Sequence, residues 1–143
     1  MEDLDKRYQT IVVLWAAMVM NIGVFLVITL VAAPQISDPP PARVLTFVFA
    51  AVGTFVAVLS FVIKSKLFRR AVDEQNLLLV QTGVILACAM CEVPVLFGVV
   101  EAFAIGGHDH YVLFLIGAIA MLLHFPRRPQ LEAASYKTGS TQL

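Results

Sequence analysis

Four long apolar stretches constrain the fold of this chain more than any other feature of its 143-residue sequence. Three of them reach the roughly 20 residues that a helix needs to cross the hydrocarbon of a bilayer. Only 14% of the residues are charged, against about 25% in soluble domains, so most of the chain cannot form a water-facing surface. The sequence therefore predicts an all-α, polytopic membrane protein of one domain, residues 1–143, with four transmembrane helices in an antiparallel bundle.

The ends of these stretches give approximate helix boundaries. The predicted helices span residues 10–33, 42–63, 74–105 and 111–125. Pro34 ends the first because proline cannot continue a hydrogen-bonded helix, Asp73 is a candidate N-cap for the third, and Gly106 marks the end of the third. The fourth stretch extends only about 23 Å, so it predicts a short span. We expect residues 129–143 to form a flexible cytoplasmic tail.

The basic residues predict the orientation of the bundle. With four spans, nine of the ten lysine and arginine residues fall on one side of the membrane. These nine are Lys6, Arg7, Lys64, Lys66, Arg69, Arg70, Arg127, Arg128 and Lys137. Only Arg43 falls on the other side. Because basic residues are retained in cytoplasmic loops, the distribution predicts a multi-pass protein in a lipid bilayer with both termini in the cytoplasm.

One carboxyl group lies near the middle of the third apolar stretch. Glu92 is fifteen residues beyond Leu77, about 22 Å along a helix. An ionised carboxylate at that depth costs several kcal/mol, so Glu92 is expected to be protonated, paired or facing a cavity. Pro94 removes a backbone donor two residues later and predicts a helix break that frees a carbonyl near the carboxyl group.

Two interpretations of Glu92 stay open. In the first, Glu92 binds and releases a proton or a cation, with Asn21 as its partner. Asn21 occupies the corresponding depth of the first helix, within an apolar segment that is similar to the one before Glu92. In the second, Glu92 stays protonated and holds neighbouring helices together through a hydrogen bond, again with Asn21 as a candidate partner.

The residues after Glu92 also carry a family resemblance. The segment E-V-P-V-L-F-G-V-V, Glu92 to Val100, resembles the outer helix of the proteolipid c subunit of rotary ATP synthases. The resemblance covers residues 42–105 and implies a helical hairpin in which Glu92 is the ion-binding carboxylate. The sequence departs from the family in lacking its repeated Gly-x-Gly pattern and in having two further helices.

A pair of cysteines precedes the carboxyl group. Cys88 and Cys91 form a C-x-x-C spacing, which thiol oxidoreductases use and which can bind soft metals. Such an enzyme usually needs a second thiol pair, and the chain has only two cysteines. Gly83 and Ala87 continue a row of small residues, so helix packing is the favoured interpretation of this pair.

The turn before the fourth helix contains the other candidates for metal binding. Glu101, His108, Asp109 and His110 could together hold a divalent ion. Histidines in a glycine-rich turn are more often solvated, so we predict no metal site and no cofactor. Glu101 is expected near the exterior interface, and His124 is expected at the cytoplasmic interface.

Two classes of function follow. The first is a proton- or cation-translocating subunit that resembles a rotary ATPase proteolipid. The alternative is a structural or accessory subunit of a membrane complex with no transport chemistry of its own. The sequence has no nucleotide-binding loop or readable catalytic triad, so we predict no enzyme activity, no catalytic residue and no nucleic-acid partner. A homo-oligomer or a membrane complex is the expected assembly.

Overall fold

A computed structural model describes residues 2–34, 43–106 and 109–135, and every regular element in these ranges is an α-helix. The helices are α1 (Glu2–Ala32), α2 (Arg43–Asp73), α3 (Leu77–Ala104), α4 (His110–Leu123) and α5 (Arg128–Ser135). The predicted all-α class is confirmed. The first three helices are long and apolar enough to cross a membrane. A fourth span is counted only if α4 and α5, bent by 48° relative to one another, act as one.

Several helix ends differ from the sequence-based boundaries. The second helix was predicted to stop at Ile63, but α2 continues to Asp73, because lysine and arginine are good helix formers and extend the helix into its basic segment. Asp73 is therefore the last residue of α2 and not the N-cap of α3. Asn76 takes that role, and its side chain accepts a hydrogen bond from the backbone N–H of Leu78 at 3.0 Å. Gly106, with φ of 70°, follows the end of α3 as predicted.

α3 is the central helix. It packs against α1, α2, α4 and α5, whereas in the described residues no Cα atom of α1 lies within 8 Å of a Cα atom of α2. Burial agrees with this arrangement. In the most apolar part of α3, 44% of the residues are buried, compared with 11% in α1 and 17% in α2. α1 and α2 therefore lie on opposite sides of a middle layer formed by α3 and α4.

One end of the bundle collects the basic residues. Arg128 of α5 donates to Asp5 of α1 at 2.7 Å, and Arg7 lies beside the turn that joins α2 to α3. These contacts place the start of α1, the end of α2, the start of α3 and the end of α4 together. We call this the basic end. α1 and α3 consequently run in the same direction, and α2 and α4 run in the opposite direction.

The segment after α4 is folded rather than free as far as Ser135. We expected a flexible tail from Pro129 onward, but α5 begins at Arg128 and buries Leu131 and Ala134 against the basic end. Two apolar residues three positions apart lie on the same face of a short helix, which explains the docking. The rest of the predicted tail, residues 136–143, lies outside the described residues.

Large apolar side chains cover the outside of the bundle. Val31 is 82% exposed, Phe47 73% and Met20 72%. Soluble monomers rarely expose contiguous apolar surfaces of this kind, because water contact with them is unfavourable. With three helices of membrane-spanning length, this surface fits a protein embedded in a bilayer.

Candidate functional site

The predicted pair Asn21 and Glu92 meets at the contact between α1 and α3. The side-chain amide of Asn21 donates to Oε1 of Glu92 across 3.2 Å. Both side chains are half-buried. Because α1 and α3 are parallel and Arg7 lies beside Leu77, residues about fourteen positions further along each helix reach the same height. The two residues, predicted at equal depth in their helices, are therefore in direct contact.

The surroundings of Glu92 are otherwise uncharged. Among the described residues, no lysine, arginine or histidine forms an ion pair with it. The neutral amide of Asn21 can donate to a carboxyl group in either protonation state, because Oε1 accepts in both. The Glu92 side chain is also partly exposed at the surface of the bundle.

The helix break expected at Pro94 is not seen. α3 runs without interruption from Leu77 to Ala104, with Pro94 inside it. Proline still removes the donor that would serve the carbonyl of Met90. The buried ring of Pro94 faces Gly53 of α2, where an added Cβ would lie 2.9 Å from the Cβ of Pro94. Gly53 thus lets α2 approach the ring, and packing from α2 accommodates the proline within a continuous helix.

A second polar group of residues, which we did not predict as a site, lies on the other side of α3. Ser60 of α2, Cys91 of α3 and His124 at the end of α4 are all fully buried. The hydroxyl oxygen of Ser60 is 3.2 Å from Nε2 of His124 and 3.7 Å from the sulfur of Cys91. We call these three residues the Ser60 cluster. His124 is expected at the cytoplasmic interface; it lies at the end of α4, near the basic end, with its side chain fully buried in the protein.

The hydrogen bonds of the Ser60 cluster define the state of His124. Its Nδ1 lies 2.7 Å from the carbonyl of Ala120, which can only accept, so Nδ1 carries a proton. In the neutral ring, Nε2 accepts from the Ser60 hydroxyl. In the charged ring, Nε2 donates to Ser60, whose hydroxyl then donates to the carbonyl of Ala57 at 2.6 Å. The Ser60 hydroxyl can therefore meet Nε2 either as a donor or as an acceptor.

The last turn of α4 receives donors from two other helices. The ammonium of Lys64 on α2 donates to the carbonyl of His124 at 3.1 Å, and the indole of Trp15 on α1 donates to the carbonyl of Met121 at 3.0 Å. Carbonyls at a helix C-terminus lack partners within their own helix and carry partial negative charge. Lys64 and Trp15 therefore fix the end of α4 against α2 and α1.

Glu101 lies at the end of α3 remote from the basic end and is fully buried. Thr46 of α2 donates to its Oε1, and its Oε2 has no hydrogen-bond partner in the described part of the chain. Glu101 therefore lies at the end of α3 that the sequence predicts to be exterior, with its side chain pointing into the protein. Glu101 lies nine residues beyond Glu92, about half a turn out of phase, so the two carboxyl groups face different helices.

The other candidates do not form a second chemical site among the residues described. No group of three or more His, Cys, Asp or Glu side chains in the described ranges could hold a metal ion. His108 lies outside those ranges. Cys88 and Cys91 are free thiols and are fully buried, which agrees with a packing role.

Comparison with known proteins identified no relative of this chain. No protein-family model matches the chain, and no curated protein and no solved structure matches it. The fold and the site therefore define only a class: a small, all-helical protein with three or four apolar helices suited to a membrane.

Proposed function

We propose that the chain is a proton- or cation-binding subunit of a membrane assembly, with Glu92 as the exchangeable carboxyl group. The observation that carries the proposal is the contact between Glu92 and Asn21. It places a partly exposed carboxyl group, with no cation paired to it, next to a neutral donor at mid-depth of the central helix. A carboxyl group in a membrane segment is a candidate for ion or proton transfer by default. The proposed role is binding and transfer, without catalysis of a reaction.

The proposed topology has four crossings and both termini in the cytoplasm. Two features support it: the basic residues at one end of the bundle, and the bent pair α4–α5 as a fourth span. The resemblance to rotary ATPase proteolipids favours a homo-oligomer, and the exposed apolar faces of α1 and α2 leave room for neighbouring subunits. Native mass spectrometry in gentle detergent would measure the number of copies.

A carbodiimide experiment tests the proposed role of Glu92, because carbodiimides react with protonated carboxyl groups that lipid-soluble reagents can reach. We expect Glu92 to be labelled in native membranes. The labelling rate should fall at alkaline pH, and it should fall on addition of sodium if sodium ions bind to the carboxyl group. Glu101 is the matched control, since it lies on the same helix but is fully buried. Peptide mass spectrometry distinguishes the two sites. Failure to label Glu92, or equal labelling of Glu101, would contradict the proposal.

The structural alternative rests on the same contact, because the hydrogen bond also ties α1 to α3. Glu92→Gln separates the two roles. Glutamine still accepts from Asn21 but cannot release a proton. We expect E92Q to assemble as the wild type does and to lose proton flux, measured by collapse of an imposed pH gradient in membranes holding the whole assembly. Unchanged flux in E92Q would favour the structural subunit.

A further inference from the structure

A groove of about 730 Å³ opens at the basic end, between the second half of α2 and the bend that joins α4 to α5. Part of its wall is apolar. Phe61 of α2 faces Leu123 and Phe125 across the groove, and each of these side chains is at least 39% exposed. The apolar wall continues onto the lipid-facing surface of α2 through Val62, which is 47% exposed. A hydrocarbon chain could therefore enter the groove from the bilayer.

The polar part of the groove is strongly basic. Lys64, Arg69 and Arg127 line it together with a single carboxylate, Asp73, which gives three positive charges against one negative charge. In the part of the chain that the structure describes, none of these three cations forms an ion pair. Asp73 is exposed, so water weakens its effect on the groove.

Lys64 is the most unusual of these cations because only 9% of its surface is exposed. Buried lysines are normally paired with an anion. The recorded contacts of this ammonium are a neutral carbonyl, that of His124, and the ring of Phe68, whose centroid is 5.4 Å away. These contacts satisfy donors without neutralising the charge. The ammonium thus provides a second indication, independent of the shape of the groove, that an anion belongs there.

We propose that this groove binds one anionic phospholipid. Its phosphate accepts hydrogen bonds from Lys64, Arg69 and Arg127, and one acyl chain lies against Phe61, Leu123 and Phe125. The apolar wall favours a lipid over a soluble anion, because a free phosphate has nothing to place on aromatic side chains. The basic end also lies at the height of the headgroups if the long helices cross the bilayer. The proposal does not depend on the titration of Glu92.

The single tryptophan of the chain provides the probe. Trp15 stacks edge-on against Phe125, with the ring centroids 5.0 Å apart, so it lies next to the proposed acyl chain. The full-length protein is placed in phosphatidylcholine vesicles that contain a small fraction of brominated lipid, which quenches indole fluorescence on contact. We expect brominated phosphatidylglycerol to quench Trp15 more strongly than the same fraction of brominated phosphatidylcholine.

Paired double variants test whether the groove is responsible. R69Q/R127Q removes two exposed cations from the groove, whereas R70Q/R128Q removes their two chain neighbours, which form ion pairs with Glu74, Asp5 and Glu132 instead. Both variants lower the net charge equally, so general attraction to an anionic surface falls equally. Beyond that equal loss, we expect R69Q/R127Q to reduce the relative affinity for phosphatidylglycerol further, by about fivefold for each arginine.

Three results would overturn the proposal. These are equal quenching of the wild type by the two lipids, equal loss of preference in the two double variants, and relief of phosphatidylglycerol quenching by millimolar inorganic phosphate. The last result would assign the groove to a soluble anion. Circular dichroism and retention on a sizing column establish that both variants are folded before the lipids are compared.

Discussion

Asn21 of α1 donates to Glu92 of α3, with 3.2 Å between the amide nitrogen and the carboxyl oxygen. Two further polar contacts, the bond from Trp15 to Met121 and the ion pair between Asp5 and Arg128, also attach α1 to the rest of the bundle. They lie at different heights along α1. The helix is thus fixed in register at three points, although most of its surface faces outward.

A double-mutant cycle measures the value of the Asn21–Glu92 contact. We expect N21L and E92L to show a coupling free energy of about 0.6 kcal/mol, the average for hydrogen bonds between membrane helices. Unfolding with increasing sodium dodecyl sulfate in mixed micelles provides the measurement. Strict additivity of the two substitutions would show that the bond contributes nothing to stability. N21L paired with E101L is the matched control cycle and should be additive, because Glu101 contacts Thr46 instead.

A close approach of α3 and α4 makes Gly117 sensitive to substitution. A Cβ added there would clash with Cγ2 of Val95 and lie 2.8 Å from the carbonyl oxygen of Cys91. The carbonyl belongs to a helix backbone and cannot rotate away. We therefore expect G117A to lower the free energy of unfolding by about 1–3 kcal/mol, the range for overpacked cores.

Gly23 on α1 is the control for that substitution. No atom outside its own helix lies within 4 Å of an added Cβ. G23A should be neutral or stabilising by up to about 1 kcal/mol, because alanine has the higher helix propensity. Equal free energies of unfolding for G117A and G23A in the same detergent titration would contradict the close contact between α3 and α4 at Gly117.

Removal of the Ser60 hydroxyl should destabilise the protein through His124. S60A leaves Nε2 of a fully buried imidazole without its partner, which costs about 1–3 kcal/mol. S65A is the control, since Ser65 lies on the same helix and is exposed. Thermal unfolding of the two variants in detergent should separate them. Identical melting temperatures would contradict the hydrogen bonding described for the Ser60 cluster.

The two cysteines should be inert in the folded protein. Cys88 and Cys91 are both fully buried, so we expect a maleimide to leave native membranes unlabelled and to modify two thiols per chain after denaturation in sodium dodecyl sulfate. Ser65→Cys adds an exposed thiol to the protein and serves as the positive control. Rapid labelling of either natural cysteine before denaturation would contradict this prediction and favour the thiol oxidoreductase interpretation.

The parts of the structure that the sequence predicts well depend on simple periodicity and charge. Three long helices follow from the apolar stretches, and their common basic end follows from the positions of arginine and lysine. The Asn21–Glu92 contact could also be predicted from the sequence, because two polar residues at equal depth in parallel helices have few other partners. Whether Glu92 binds an ion stays a prediction.

The parts that sequence reasoning missed depend on contacts between distant segments. Ser60 and His124 are single polar residues in or beside apolar stretches, and nothing in their spacing shows that they meet. α5 was missed because eight residues with two buried positions give too short a pattern. The extension of α2 to Asp73 does not follow from the apolar pattern, because the pattern stops at the basic segment although lysine and arginine are compatible with a helix.

The end of α4 shows how a helix of fourteen residues can be accommodated. Four of its final carbonyls, those of Ala120, Met121, Leu122 and His124, all accept hydrogen bonds from groups of the protein itself. Because most of the carbonyls at this end are paired within the protein, the end of α4 depends little on water for its hydrogen bonds. In the proposed topology of four crossings, the chain can therefore bend by 48° between α4 and α5 within one span without leaving most of the carbonyls at the bend unpaired.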